Sequence, residues 1–439
     1  MMDSYKNKEI EGSNSSSIDG KIIENDSYDY ENYLISVIKD FLETTQAEVK
    51  ISTLKSLNRE LGNSLFVNFI VNYEINQEKF ILLLFECLHN DSAFLVYGHY
   101  ILHLFLNLTS ETNIIEFLYT QNLNDLFSKH TEIIYIKDNE NYHSHLTENN
   151  LLISDFINLI SQLSKSKPNE MTSQDYYNYW FPFNRFIIDC LDYEEYHQLS
   201  IISITNLSKI SCNMRDLFIN QSMIERFSQL LLSNNKYYQF YCDAMANFFM
   251  NNARDLNRLH FDFVPKISEF LTDIEFDFMQ NLLNFLVSIT TTYEGCRLLK
   301  KRGLVELILE ISEELPFVSR KSALKILLDM LDETQYEPTL VNFLIEKENL
   351  EIFDPFFETN DEEILSILLR PISKIIVQAR VDGPDIPPLF DVFANSSEIL
   401  DQIREIAGLD PFEHRMDIIE MSQYIISEMD GNFQKINSQ

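Results

Sequence analysis

The chain has 439 residues, 45% of them hydrophobic, with 68 Asp and Glu against 34 Lys and Arg for a formal net charge of −34. Its length exceeds one ordinary compact domain of roughly 100–200 residues. The charge gives no basic footprint for nucleic acid or an anionic membrane surface.

Only 9 Gly and 11 Pro occur, and none of the Pro precedes Pro168, so the frequent turns of a sheet-rich fold are missing and helices are expected throughout. The five cysteines, Cys87, Cys190, Cys212, Cys242 and Cys296, are odd in number and widely scattered, which excludes a disulfide framework or zinc ribbon and predicts a reducing compartment. No cofactor or metal is expected.

In chain order, residues 1–28 read as a polar, acidic, Ser/Asn-rich disordered tail without the basic and apolar blocks of a secretory leader. A cytoplasmic protein, or a nuclear one, is therefore expected. Residues 29–430 read as helix after helix. Tyr33, Leu34, Val37, Ile38, Phe41 and Leu42 already mark the i, i+3, i+4, i+7 stripe. The most apolar stretch, Phe94 to Leu108, is shorter than a membrane span of about 20 residues, so no membrane insertion is expected. Within it His99 and His103 stand at i, i+4, a metal-capable spacing, but no third ligand lies nearby in sequence and the flanks are core-like. The loop pair His143 and His145 is equally unsupported. Residues 137–150 interrupt the helical pattern as a loop insertion, and residues 431–439 read as a disordered C-terminus.

The aromatic run DYYNYWFPFNRF (Asp175 to Phe186) contains Tyr177 and the single tryptophan, Trp180. Two readings stay open: a binding hot spot built on Tyr177 and Trp180, or packing of an irregular connection, with Pro182 opening the next helix.

From about residue 200 a period emerges. Ile202–Ser208 is followed by Met223–Leu232, Asp243–Phe249 by Phe263–Leu271, and Leu283–Ile289 by Gly303–Ile311. Ile224, Val264 and Leu304 recur at one even interval of about 40 residues, the mark of an α-solenoid. Arg297, Lys300, Lys301 and Arg302 precede Gly303 and so read as cations at a helix C-terminus, where they offset the dipole; the alternative is a contact for an acidic partner. Between Glu310 and Asp430 there are 27 Asp and Glu against 9 Lys and Arg, a balance of −18. That acidity serves either solubility or a basic segment of a partner. Asp361, Glu362 and Glu363 read there as a solvated link between hairpins and as the candidate contact for such a basic partner.

The segments SITNLSKISCNMRDLFINQSMIERFSQLLL and SITTTYEGCRLLKKRGLVELILEI resemble armadillo repeats, with Gly303 where that family tends to place glycine. LFLNLTSETNIIEFLYTQNLNDLF resembles them too. The resemblance implies an all-α, right-handed α-solenoid of armadillo-like (HEAT-like) helical repeats with a period of about 40 residues. It further implies that Asn107, Asn206 and Asn247, which hold matching places in their repeats, could clamp a partner's backbone. The plainer reading is that each asparagine simply ends a helix or bonds a neighbouring turn. Nuclear-import receptors of the family pair such asparagines with a tryptophan array, and one tryptophan argues against that role. No G-x-G-x-x-G, P-loop, H-E-x-x-H or G-x-S-x-G motif occurs. The expected function is a non-enzymatic scaffold or adaptor that holds a protein partner, as a monomer. The alternatives are a co-chaperone or assembly factor cradling one client subunit, and a regulatory subunit of a phosphatase or GTPase system.

Overall fold

The computed structural model describes residues 19–62, 64–75, 78–121, 123, 125–126, 146–233, 235–250, 255–259, 263–272, 278–301, 303–312, 314–334, 357, 362, 364–370, 372–373, 397–409 and 415–436. The chain divides into two compact units, Met1–Leu199 and Ser200–Gln439.

The first unit holds α1 (Asp19–Glu43), α2 (Ala47–Arg59), α3 (Ser64–Asn72), α4 (Phe80–Leu88), α5 (Asp91–Leu108), α6 (Thr112–Thr120), α7 (Leu146–Leu163), α8 (Ser173–Trp180) and α9 (Asn184–Cys190). A two-residue hairpin, β1 (Glu74–Ile75) and β2 (Glu78–Lys79), joins α3 to α4 with Glu74 opposite Lys79. Strand is confined to this hairpin among the described residues. α10 (Glu194–Ile210) runs across the division. The second unit continues with α11 (Cys212–Asn220), α12 (Met223–Ser233), α13 (Tyr238–Phe249), α14 (Phe263–Thr272), α15 (Met279–Thr290), α16 (Tyr293–Lys301), α17 (Leu304–Ser312), α18 (Phe317–Thr334), α19 (Ser397–Ala407) and α20 (Met416–Ile436).

Three expected boundaries differ. α1 opens at Asp19, inside the expected tail; α7 opens at Leu146, inside the expected insertion; and α20 runs on to Ile436. Residues 1–18, 127–145 and 437–439 lie outside the described residues.

Local chemistry explains where helices start and stop. The Asn90 side chain accepts from the Ala93 N–H at 3.1 Å to open α5, and Ser211 Oγ accepts from the Met214 N–H at 3.3 Å to open α11. Thr172 and Asp175 form a capping box at the start of α8. α16 ends with Lys300 and Lys301 in its last turn, and Gly303 follows at φ 69°. Ser222 holds the same left-handed place, at φ 64°, between α11 and α12.

Packing repeats with the sequence period. In the second unit α13 packs on α15 and α15 on α18, while α12 packs on α14 and α14 on α17. Each repeat thus contributes a second helix to one layer and a third helix to another. Leu283, Phe285 and Leu286 of α15 are fully buried between its neighbours, Phe227 stacks on Phe248 at 5.9 Å, and Phe249 meets Phe285 at 6.0 Å. Burying each such side chain contributes about 1.5–3 kcal/mol. Arg258 grips Glu225 of α12 through two bonds, at 2.7 and 3.1 Å, which fastens the turn at 255–259 to the second-helix layer.

The two left-handed residues should respond in opposite senses to substitution. Ser222→Gly should raise stability by about 0.5–1 kcal/mol, and Gly303→Ala should lower it by about 1–2 kcal/mol, because a Cβ is disfavoured at positive φ. Urea unfolding followed by circular dichroism measures both.

Candidate functional site

The third helices of the second unit, namely α10 from Ile201 onward, α13, α15 and α18, are joined edge to edge by polar side chains. Asn247 Nδ2 donates to the Thr205 carbonyl at 3.3 Å, 42 residues back. Asn281 Nδ2 donates to Asp243 Oδ1 at 2.8 Å, 38 residues back. Gln280 Nε2 donates to Asn284 Oδ1 and to Ser322 Oγ, both at 2.8 Å, and Ser322 Oγ donates in turn to Asn284 Oδ1 at 3.0 Å. Thr290 Oγ1 donates to Asp329 Oδ2 at 3.2 Å, 39 residues on. Every span between helices matches the repeat period, so the period fixes which polar groups meet.

These residues are not deeply buried. Asn206, Asp243, Asn247, Gln280, Asn281 and Ser322 are half-buried, and Asn284 is exposed. Asp243 carries the electrostatic signature of the row. Burial pushes its carboxyl above the ordinary value, against the pull of the Asn281 hydrogen bond and of Lys209.

Of the three asparagines singled out from the sequence, Asn206 and Asn247 lie on successive third helices of this row. Asn247 has one N–H committed to the neighbouring helix. Asn107 is exposed on α5 in the first unit, and its Nδ2 donates to the His103 carbonyl of the same helix at 2.7 Å. Sequence reasoning missed Gln280, Asn281, Asn284 and Ser322. The signal that could have found them was the same period, shifted one to two turns toward the N-terminus of the helix.

The aromatic run is corrected. Trp180 is 1% exposed, and its ring packs against Tyr119, Tyr176, Tyr179 and Phe183 at 5.3–6.1 Å, so it belongs to the core and is no exposed anchor. Tyr119 OH donates to the Leu163 and Ser166 carbonyls at 2.8 and 3.0 Å, capping the end of α7. Burial raises the Tyr119, Tyr176 and Tyr179 hydroxyls far above their ordinary value, which keeps them neutral donors. Tyr177 is half-buried, with its ring 5.5 Å from Phe181.

Glu362 is not a solvated link. It is half-buried and accepts from the Arg415 backbone N–H at 3.0 Å, 53 residues on, just before α20 begins. Asp361 and Glu363 lie outside the described residues.

His99 and His103 find the partner that their sequence neighbourhood lacked. His99 Nδ1 bonds Asp155 Oδ2, and His103 Nδ1 stands 3.5 Å from Asp155 Oδ1. Asp155, 6% exposed, comes from α7, so the cluster ties α5 to α7. Both histidines are more exposed than a core reading implies. Among the described residues no group of three or more His, Cys, Asp or Glu could hold a metal ion, and no helix is long and apolar enough to cross a membrane.

Second and third helices stacked at a period of about 40 residues give the second unit an armadillo-like helical-repeat fold, an all-α solenoid class. No family model matches the sequence, and no curated protein does. Solved structures do match. A crystal structure of an engineered protein from the Northeast Structural Genomics Consortium aligns at a TM-score of 0.63 and 11% identity, covering 90% of this chain and 98% of that one. A designed armadillo repeat protein aligns at 0.45 and 11% identity over 56% of this chain and 98% of its own. Another, in complex with the peptide (KR)4, aligns at 0.44 and 11% identity over 56% of this chain and 99% of its own. At such identity the first of these likenesses speaks for the fold alone.

The raised carboxyl of Asp243 sets a pH dependence. A carboxyl whose folded value lies above its unfolded value stabilises the fold below the unfolded value, and that contribution is lost as pH rises through the folded one. Asp243→Asn keeps an acceptor for Asn281 but cannot ionise. The stability of the unsubstituted chain relative to this variant should therefore fall as pH climbs through the carboxylate range. Urea unfolding at a series of pH values measures the difference, and a flat difference would show that Asp243 ionises without cost.

Proposed function

We propose that this chain is a non-enzymatic scaffold whose third-helix face in the second unit holds an extended segment of a protein partner. The observation that supports the reading is the amide row itself. Asn206, Asn247, Gln280, Asn281 and Asn284 stand on three successive helices, half-buried or exposed. A carboxamide both donates and accepts, so it suits a peptide backbone, which does the same.

The bonding leaves complementary capacity. Among the described residues, Asn284 uses only its Oδ1, so both of its N–H donors remain open. Asn247 uses only Nδ2, so its Oδ1 remains an open acceptor. A row already bonded on one side is pre-organised, which lowers the entropic cost of gripping a partner. The acidity between Glu310 and Asp430 adds a long-range attraction for a partner with basic residues, acting on the association rate.

A photo-crosslinking amino acid placed at Asn284 should capture a partner peptide, and one at Lys300 on the exposed face of α16 should not. The double change Asn247→Ala and Asn284→Ala should weaken that partner's binding about tenfold or more. Association should slow as salt rises from about 50 to about 500 mM, since exposed charges are screened over roughly 8 Å at physiological ionic strength. Identical crosslinked products from Asn284 and Lys300 would overturn the assignment of the face.

A further inference from the structure

The end of α1, the first turns of α2 and α5 and the last turn of α4 enclose a cavity of about 520 Å3 in the first unit. Three observations mark it. Its floor is aromatic: Phe41 is fully buried, and Tyr97 meets it edge-on with ring centres 6.3 Å apart. Its wall carries a cation: the Lys50 ammonium stands 4.9 Å from the centre of the Phe41 ring and 5.8 Å from that of Tyr97. Among the described residues Lys50 makes no ion pair, in a chain with twice as many acids as bases. Finally, its surroundings are apolar and open to solvent. Val96, which lines the cavity, is 46% exposed, and Val49 and Leu95, each next in sequence to a lining residue, are 36% and 51% exposed.

We propose that this cavity anchors a polypeptide segment that presents an apolar side chain beside a carboxylate. The apolar group packs against Leu83, Val96 and Tyr97, which solvent reaches, and the carboxylate pairs with Lys50. An aromatic-floored concavity with one convergent charge is the ordinary form of a specific anchor site. Lys50 held over two rings has already lost much of its side-chain freedom, so a carboxylate meets a fixed cation. Glu86, exposed on the lining, would repel a second acid and accept from a backbone N–H instead. The exposed Val49 and Leu95 favour a segment that runs on past the cavity over a free small acid that ends inside it. The site lies in the first unit and its test does not depend on the amide row of the second.

Cys87 lines the cavity and provides the probe. Burial raises its thiol and the nearby Lys50 pulls it partly back, so exchange should be read at equilibrium in a thiol–disulfide buffer and not as a rate. The full chain is equilibrated with acetyl-Cys-Gly-Leu-Asp-amide, with the matching Leu-Lys peptide, and with 3-mercaptopropionate as an acid without a backbone. Peptide mapping then reports occupancy at Cys87 and at the exposed Cys212. The Leu-Asp peptide should exceed both other probes at Cys87 by about tenfold, with no preference at Cys212. Lys50→Met should abolish the preference, and Lys50→Arg should keep it. Equal occupancy by the Leu-Asp and Leu-Lys peptides, or a preference that survives Lys50→Met, would overturn the proposal. Mercaptopropionate matching the Leu-Asp peptide would overturn the polypeptide as occupant and leave a small-acid site.

Discussion

No helix of the repeat stack in the second unit covers its own apolar stripe, and among the described residues much of the cover comes when the chain returns, one repeat later, with another helix of the same kind. α15 shows the constraint most clearly. Leu282, Leu283, Phe285, Leu286 and Ile289 all need burial, and α13 on one side and α18 on the other supply it. Hydrophobic stacking of this sort is strong but slippery, because an apolar stripe tolerates a shift of one turn. The polar contacts between third helices remove that freedom. Asn247 with Thr205, Asn281 with Asp243, and Gln280 and Asn284 with Ser322 each require one register.

The same contacts make the face usable. A half-buried amide fixed by a neighbour presents its remaining donors and acceptors in one orientation, so structural register and candidate binding surface are one set of side chains. The first unit follows a parallel logic with different chemistry. Asn58 Nδ2 of α2 donates to the Tyr100 carbonyl of α5 at 3.0 Å, 42 residues on, and Asp155 of α7 takes His99 and His103 from α5. Tyrosine hydroxyls cap carbonyls that the end of α7 would otherwise leave open.

Much of the fold was legible because a period is a property of spacing, and spacing survives divergence of the residues themselves. The even interval between Ile224, Val264 and Leu304 reappears as the 38–42-residue spans of the bonds between helices. Helix ends were legible where one residue type decides them, as at Gly303. What failed was the choice of face. Trp180 looks like an exposed anchor in a run of aromatics, yet Pro182 and the short helices around it turn the ring inward, where Tyr119 from α6 closes over it. Glu362 looks solvated until Arg415 arrives from the far end of the chain, and Asp155 completes a histidine pair from 56 residues away. Such pairings belong to tertiary structure, which adjacency in sequence does not encode. The amide row meets the expected asparagines at Asn206 and Asn247 but sits one to two turns earlier in α15, because one helical turn separates two equally amphipathic alignments.

A double-mutant cycle across one junction between third helices tests this picture most directly. Asp243 and Asn281 lie on different helices, and their hydrogen bond involves a charged acceptor, so removing them singly and together should reveal a coupling of about 1–2 kcal/mol in urea unfolding. That value is expected if α13 and α15 are locked in the register described. A coupling of zero would mean that the polar row does not hold the repeats together, and the register and the candidate face would fall with it.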